Sequence, residues 1–302
     1  MNAKPSLLAR VAHATVSVHS NIPATHASNA IGLGTDRRGS GTLVSPSGLI
    51  LTVTYMLMGA ESIIVTLSNG DQYEGKVVGL DYTTGIGLLS IDGRDHPYLP
   101  VVSSATAKVG EEVFVVSSLG GEKRGGDCGV ITYLGQFDAV WEFVLERCVC
   151  MTASALNIGF NGGPICDSSG NVIATSYLNF AELERPILGI PGEYFLAGRD
   201  ELLRDGRRTS VPPRMWLGLL SYTLRDHVII AGVMPGSPSE KAGLKQGDMV
   251  LTVDGRDISE RRVLYDAVNS HRPGEQVNLK VLRNNQVQHF QVPAISVEDY
   301  LR

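Results

Sequence analysis

The sequence predicts a mostly β chain folded as two globular domains, and three observations carry that expectation. Its 302 residues are 43% apolar and 19% charged, enough to fill the cores of two domains but too long for one small core. Thirty-four glycines and 14 prolines, against only 6% aromatic residues, favour a turn-rich β protein over a helical bundle. Short apolar runs are repeatedly broken by turn signals, of which Asn69-Gly70 is the strongest for a hairpin.

The elements follow in order. A short helix is expected over residues 5–12. A strand follows at residues 14–20, where apolar and polar side chains alternate. His13 and His19 fall here, as structural or surface side chains. Gly41 to Thr52 reads as strand, turn and strand. Ile63-Ile64-Val65-Thr66-Leu67 leads into the Asn69-Gly70 turn, and Lys76-Val77-Val78-Gly79 supplies the next strand. A second group of strands begins at residues 113–116 and continues through 129–134. A turn and strand follow at residues 170–174, and a closing helix is expected at residues 199–204. Gly206, Pro212 and Pro213 mark residues 207–213 as a linker between domains at 1–206 and 214–296. Beyond it, Ser259 is placed to cap a helix over residues 260–270 that carries Val263, Leu264, Ala267 and Val268 at helical spacing.

Charge and composition exclude several classes. A net charge of −5 argues against nucleic acid as a partner, and Arg204-Asp205-Gly206-Arg207-Arg208 reads as a solvated linker. No apolar run approaches the ~20 residues a membrane span needs. Cys148 and Cys150 sit on one face of a strand and, with Cys128 and Cys166, read as buried thiols, with a disulfide or metal role as the alternative; no cofactor is expected.

The stretch Asn157-Ile158-Gly159-Phe160-Asn161-Gly162-Gly163-Pro164 resembles the nucleophile loop of HtrA (Deg) serine proteases, which reads N-P-G-N-S-G-G-P. The serine position falls on Asn161, whose amide is a poor nucleophile. The glycines suit a tight turn that aims N–H groups at an oxyanion, with Gly159, Phe160 and Asn161 as its remnant. Ile50 to Ala60 resembles the family's histidine motif, with Tyr55 at the base. Asp81-Tyr82-Thr83-Thr84-Gly85 places Gly85 where the family's aspartate stands. A phenol with an ordinary pKa of about 10 is a poor base at neutral pH. Residues 214–296 resemble a PDZ domain, closely so from Gly236 to Gly255.

The resemblance implies a trypsin-like double β-barrel of two six-stranded halves, followed by a PDZ domain. In the latter Trp216, Leu217, Gly218 and Leu219 form the carboxylate-binding loop, while Leu219 to Tyr222 and the helix with Val263, Leu264 and Ala267 wall a peptide groove. Trp216 is expected to pack rather than touch a ligand. With Tyr55, Gly85 and Asn161 in place of the triad, the chain is expected not to be an enzyme but a non-cleaving scaffold or regulatory subunit. Its partners would be protein or peptide C-termini, and it would form homo-oligomers or hetero-oligomers with an active paralogue. Met1 to His13 contains none of the aromatic residues through which many relatives trimerise.

Two alternatives stand beside that expectation. One is an endopeptidase with displaced groups, drawn from Ser154, Cys166 or Ser168 with His96. The other is a metal or small-molecule binder reusing Tyr55, Asn161 and the Cys148/Cys150 pair. Tyr55 and Asn161 are expected to hydrogen-bond each other, and Phe160 to fill the substrate pocket. The resemblance implies the periplasm or cell envelope if a leader has been removed, and the cytoplasm otherwise; the first residues lack a sustained apolar segment.

Overall fold

The computed structural model describes residues 5–152, 161–179 and 186–301. They fall into two compact units. The first comprises Met1–Ala24, Leu33–Gln136 and Glu146–Val211, and the second Thr25–Gly32, Phe137–Leu145 and Pro212–Arg302.

The first unit opens with helix α1 (Pro5–Ala14), longer than expected at its C-terminal end. Seven strands follow: β1 (Thr15–Asn21), β2 (Asp36–Leu43), β3 (Leu49–Val53), β4 (Ser62–Thr66), β5 (Gln72–Glu74), β6 (Lys76–Asp81) and β7 (Ile86–Ser90). They form one antiparallel sheet in the order β5-β4-β1-β2-β3-β7-β6, with the one-turn helix α2 (Thr54–Leu57) between β3 and β4. The expected six strands become seven because the Asn69-Gly70 turn folds short β5 back onto β4, with Gly70 at φ 92°.

The second half of this unit is a closed barrel of β8 (Glu112–Gly120), β9 (Lys123–Ala139), β10 (Phe143–Thr152), β11 (Pro164–Cys166), β12 (Val172–Asn179) and β13 (Pro186–Pro191). Val113, Val115, Ile131, Val149, Met151 and Ile165 fill its centre. β9 runs well past the strand expected at residues 129–134. Its glycines allow close strand approach: a Cβ on Gly129 would collide with the Thr152 carbonyl oxygen. Helix α3 (Gly192–Asp205) also starts earlier than expected. Glu193 in its first turn accepts hydrogen bonds from the Ser104 amide (2.8 Å) and hydroxyl (3.1 Å), a tertiary anchor that propensity does not register. Gly206 ends it in the left-handed conformation.

The second unit contains β14 (Met215–Trp216), β15 (Leu219–Leu224), β16 (His227–Val233), α4 (Pro238–Ala242), β17 (Met249–Val253), β18 (Arg256–Asp257), α5 (Arg261–Asn269), β19 (Gln276–Arg283), β20 (Gln286–Pro293), β21 (Ile295–Ser296) and α6 (Val297–Leu301). β15 forms the edge of the sheet β15-β16-β17-β19-β20, and α5 packs Leu264, Tyr265, Ala267 and Val268 into its core. Ser259 does not cap α5. The N-cap is Glu260, without a side-chain bond, and the Arg261 amide donates instead to the Thr223 hydroxyl of β15 (3.0 Å). That bond ties the helix start to the sheet edge. No helix among the described residues is long and apolar enough to cross a membrane.

Candidate functional site

The first site gathers Tyr55, Gly85 and Asn161, the positions expected to stand for the triad. Tyr55 lies on α2, directly after β3. The Thr54 amide donates to the Gly85 carbonyl (2.8 Å), and the Gly85 amide to the Asp81 carbonyl (2.8 Å), so Gly85 lies beside α2 at φ 83°. The Asp81 carboxylate is turned into its own turn, accepting from the Thr83 amide (2.9 Å) and the Thr84 hydroxyl (2.6 Å).

Asn161 joins the same neighbourhood through its backbone. Its carbonyl accepts from the Ser40 amide of β2 (2.8 Å). Gly162 donates to the Ser176 carbonyl (2.7 Å), and Gly163 to the Ser176 hydroxyl (3.1 Å). Gly162 stands at φ 86°, and a Cβ there would collide with the Ser40 carbonyl and the Thr52 hydroxyl. Only glycine fits this turn.

The expected bond between Tyr55 and Asn161 is not what holds the ring. The phenol carries one proton, and it goes to the Tyr177 carbonyl (2.6 Å), with the two tyrosine rings meeting edge to face at 5.3 Å. Burial pushes the phenol's pKa well above its ordinary value. Tyr55 therefore stays protonated and engaged, a packed phenol rather than a base. Gly159, Phe160 and Ser154, and with them the oxyanion remnant and the filled pocket, lie outside the described residues.

The displaced candidates do not converge. His96 hydrogen-bonds the Asp92 carbonyl through Nε2 (3.1 Å) and packs edge-on against Tyr73. Its amide bonds the Pro46 carbonyl, placing it near the start of β3 while Tyr55 follows that strand's end. Cys166 is wholly buried, and burial raises its pKa, so it is a poor thiolate source. Ser168 sits exposed in the turn before β12. One imidazole and hydroxyl do pair, His26 Nδ1 with Ser28 Oγ at 2.6 Å, but as the cap of a short 3-10 helix (Ala27–Ile31), with Ser28 buried.

Cys148 and Cys150 share a face of β10 with sulfurs 3.8 Å apart, and the contact with Cys148, reinforced by burial, raises the Cys150 pKa. Cys128 differs from the expectation of a buried thiol: it is exposed. Among the described residues no three His, Cys, Asp or Glu side chains gather as a metal-holding group.

The second site lies wholly within the second unit. The amides of Leu217, Gly218 and Leu219 point to one place, and Glu142 fills it. Its Oε2 accepts from Gly218 (2.9 Å), Leu219 (3.0 Å) and Leu217 (3.3 Å). Gly218 is at φ 86°, the left-handed turn that lets successive amides converge. Burial raises the Glu142 carboxyl to a pKa of about 7, against the opposing pull of the Leu219 and Gly218 amides, the Arg214 charge and the Leu217 amide. Trp216 is buried and packs on Tyr300, ring centroids 4.3 Å apart. Leu264 and Ala267 belong to the core, and Val263 is half-buried against it. Sequence reasoning missed Glu142, Arg261 and Tyr265, and reached Ser221 only as part of the strand from Leu219 to Tyr222. Only the basic pair at the start of the predicted helix, Arg261-Arg262, gave any signal.

Comparison with known proteins agrees with this architecture. Residues 39–174 match the trypsin-like peptidase domain and residues 216–294 the PDZ domain. A probable periplasmic serine endoprotease DegP-like of Halomonas elongata is 30% identical over 266 residues, covering 82% of this chain and 54% of that protein. Serine endoprotease DegS of Haemophilus influenzae is 26% identical, covering 86% of this chain and 77% of that protein. Among solved structures, the serine endoprotease from Yersinia pestis has a TM-score of 0.57 at 26% identity, covering 96% of this chain and 97% of the other. The HtrA-type protease AlgW with decapeptide has a TM-score of 0.58 at 23% identity, covering 96% of this chain and 97% of the other. The molecule is thus a trypsin-like peptidase domain followed by a PDZ domain. Its homologues are HtrA proteins of the DegP and DegS kind, and the chain spans about half the length of the DegP-like relatives it matches.

These relatives correct one expectation. The chain was expected not to be an enzyme, yet its homologues are named serine endoproteases and the family points to proteolysis. The physical reason is that three side chains are not the whole of catalysis on this fold. Oxyanion donors and binding alone leave about 10³–10⁴ of rate over water when a triad is removed. The residues at positions 55, 85 and 161 therefore do not by themselves decide against hydrolysis.

Proposed function

We propose that this chain is an HtrA-type endopeptidase module acting on polypeptides, with its hydrolytic groups displaced from positions 55, 85 and 161 and its PDZ domain selecting a carboxylate-bearing segment. The observation that carries the reading is the convergence of the Leu217, Gly218 and Leu219 amides on one carboxylate oxygen. Such a cradle matches a peptide C-terminus, and the adjacent β15 edge offers backbone groups for an added strand. The names of the relatives support proteolysis as the reaction. Ser154 is the hydroxyl nearest in sequence upstream of Asn161 and is the candidate nucleophile, since Tyr55 is engaged with Tyr177 and Cys166 is sealed in the barrel.

The test uses purified chain, freed of contaminating protease, with unfolded casein. Cleavage by the native chain that is lost in Ser154→Ala is the expected result. No cleavage by the native chain, or equal cleavage by Ser154→Ala, overturns the assignment of the nucleophile. Binding of a labelled peptide with a free C-terminus, compared with its C-terminal amide, tests the carboxylate cradle separately.

A further inference from the structure

The carboxylate cradle of the second unit is not open. It is filled by residues 137–145, the tip of the hairpin joining β9 to β10, which belong to the same compact unit as the PDZ domain. The tip follows β15 antiparallel. Glu142 meets Leu217 to Leu219, the Val140 carbonyl accepts from the Ser221 amide (2.9 Å), and Asp138 reaches Arg261 (2.7 Å). Tyr265 on α5 donates from the opposite side to the Ala139 carbonyl (2.8 Å). The segment is therefore bracketed by the sheet edge and the helix, as a bound peptide would be.

Two features fit Glu142 to the role of a chain terminus. It is buried, at 3% exposure, in a place where three amides and the Arg214 charge compensate a carboxylate. It also stands at φ 58°, a left-handed conformation unfavourable to a residue bearing a Cβ. A turn needing only to reverse the chain would place glycine or asparagine there. Glutamate in that conformation sends its carboxylate into the cradle while the backbone turns back into β10.

The geometry points to an internal ligand: residues 138–142 occupy the PDZ groove with the Glu142 carboxylate standing for a peptide C-terminus, and an incoming peptide binds by displacing them. This rests on the cradle being a carboxylate site, as proposed above. It adds both regulation and the chemistry of the external ligand. The competitor should share the tip's contacts: an acidic residue for Arg261, small and apolar residues along β15, and a free carboxylate on an apolar last residue above the Leu217, Leu219 and Leu264 core.

The full chain is tested with the N-terminally labelled peptide Asp-Ala-Val-Trp-Val carrying a free C-terminus. Glu142→Ala is expected to bind it about tenfold more tightly than the native chain, because the groove no longer has to be vacated. Equal affinity of Glu142→Ala and the native chain overturns the internal ligand while leaving the cradle as a peptide site. Hydrogen exchange gives a second reading without any peptide: the Leu217, Gly218, Leu219 and Ser221 amides are protected in the native chain and lose that protection in Glu142→Ala. Unchanged protection overturns the proposal. Protection lost with no peptide bound by either chain supports self-occupancy and removes peptide recognition from the proposed function.

Discussion

The Glu142 carboxylate lies 2.9 Å from the Gly218 amide nitrogen, and this single contact joins a hairpin tip to the loop whose amides converge on it. Glu142 is left-handed at φ 58° and Gly218 at φ 86°, so two turns of unusual backbone are held against each other. The conformation is ordinary for glycine but disfavoured for a glutamate. The bonds from three amides to one carboxylate are what hold Glu142 in it.

Docking of the tip should depend on pH. The ordinary carboxyl value of 4.5 is raised to about 7 by burial, with Arg214 and the three amides opposing and the Tyr265 hydroxyl nearby. A raised bound-state pKa means that the contribution to docking is complete below 4.5 and is lost as pH rises through about 7. At most it amounts to about 3 kcal/mol. Probe affinity should thus increase between about pH 5 and pH 8, where the peptide's own carboxylate stays ionised. Glu142→Gln should flatten the profile, which titration by fluorescence anisotropy would read.

Tyr55→Phe removes the donor to the Tyr177 carbonyl while keeping the edge-to-face ring contact. The expected loss is about 1 kcal/mol, within the range for one buried hydrogen bond, or a fall in Tm of about 2–4 °C. Thermal unfolding measures it. A variant as stable as the native chain would mean the hydroxyl contributes nothing there.

Glycines of similar φ should respond very differently to alanine. Gly162 (φ 86°) and Gly70 (φ 92°) both stand in the left-handed region, but a Cβ on Gly162 meets the Ser40 carbonyl and the Thr52 hydroxyl, whereas one on Gly70 meets nothing within 4 Å. Gly70→Ala should cost about 1 kcal/mol from backbone strain alone. Gly162→Ala adds overpacking and should cost about 2–5 kcal/mol. Urea denaturation of the two variants separates them.

The contrast shows what the sequence made legible. Asn69-Gly70 announced its hairpin because a tight turn closed by a left-handed glycine is local chemistry. The glycine run at 162–163 was readable only by resemblance, since the atoms that exclude a Cβ belong to Ser40 and Thr52, far away in the chain. The mostly β class, the strand groups and the PDZ domain that contains Leu217 to Leu219 all followed from local pattern or motif. Helix α3 began early because Glu193 binds Ser104, and the cap expected at Ser259 was supplanted by Thr223. The occupant of the groove was invisible for the same reason: nothing in Asp138-Ala139-Val140-Trp141-Glu142 marks it as a ligand until the fold lays it along β15.

Asp138 and Arg261 offer the last test, because one belongs to the tip and the other to the groove. Asp138 Oδ2 lies 2.7 Å from Arg261 Nε, and a second guanidinium nitrogen donates to the Asp138 carbonyl (3.2 Å). The pair is partly exposed, at 35% and 20%, so its coupling should be modest, about 0.5–1 kcal/mol. Asp138→Ala weakens only the internal segment and should tighten probe binding about two- to fivefold. Arg261→Ala removes a contact common to the tip and to the probe's own aspartate, so the two losses offset and affinity should stay near the native value. The double variant should then bind no more tightly than Arg261→Ala alone, since Asp138 has no partner left to lose. If Asp138→Ala tightened binding equally in the presence and absence of Arg261, the acidic residue would act through something other than this pair.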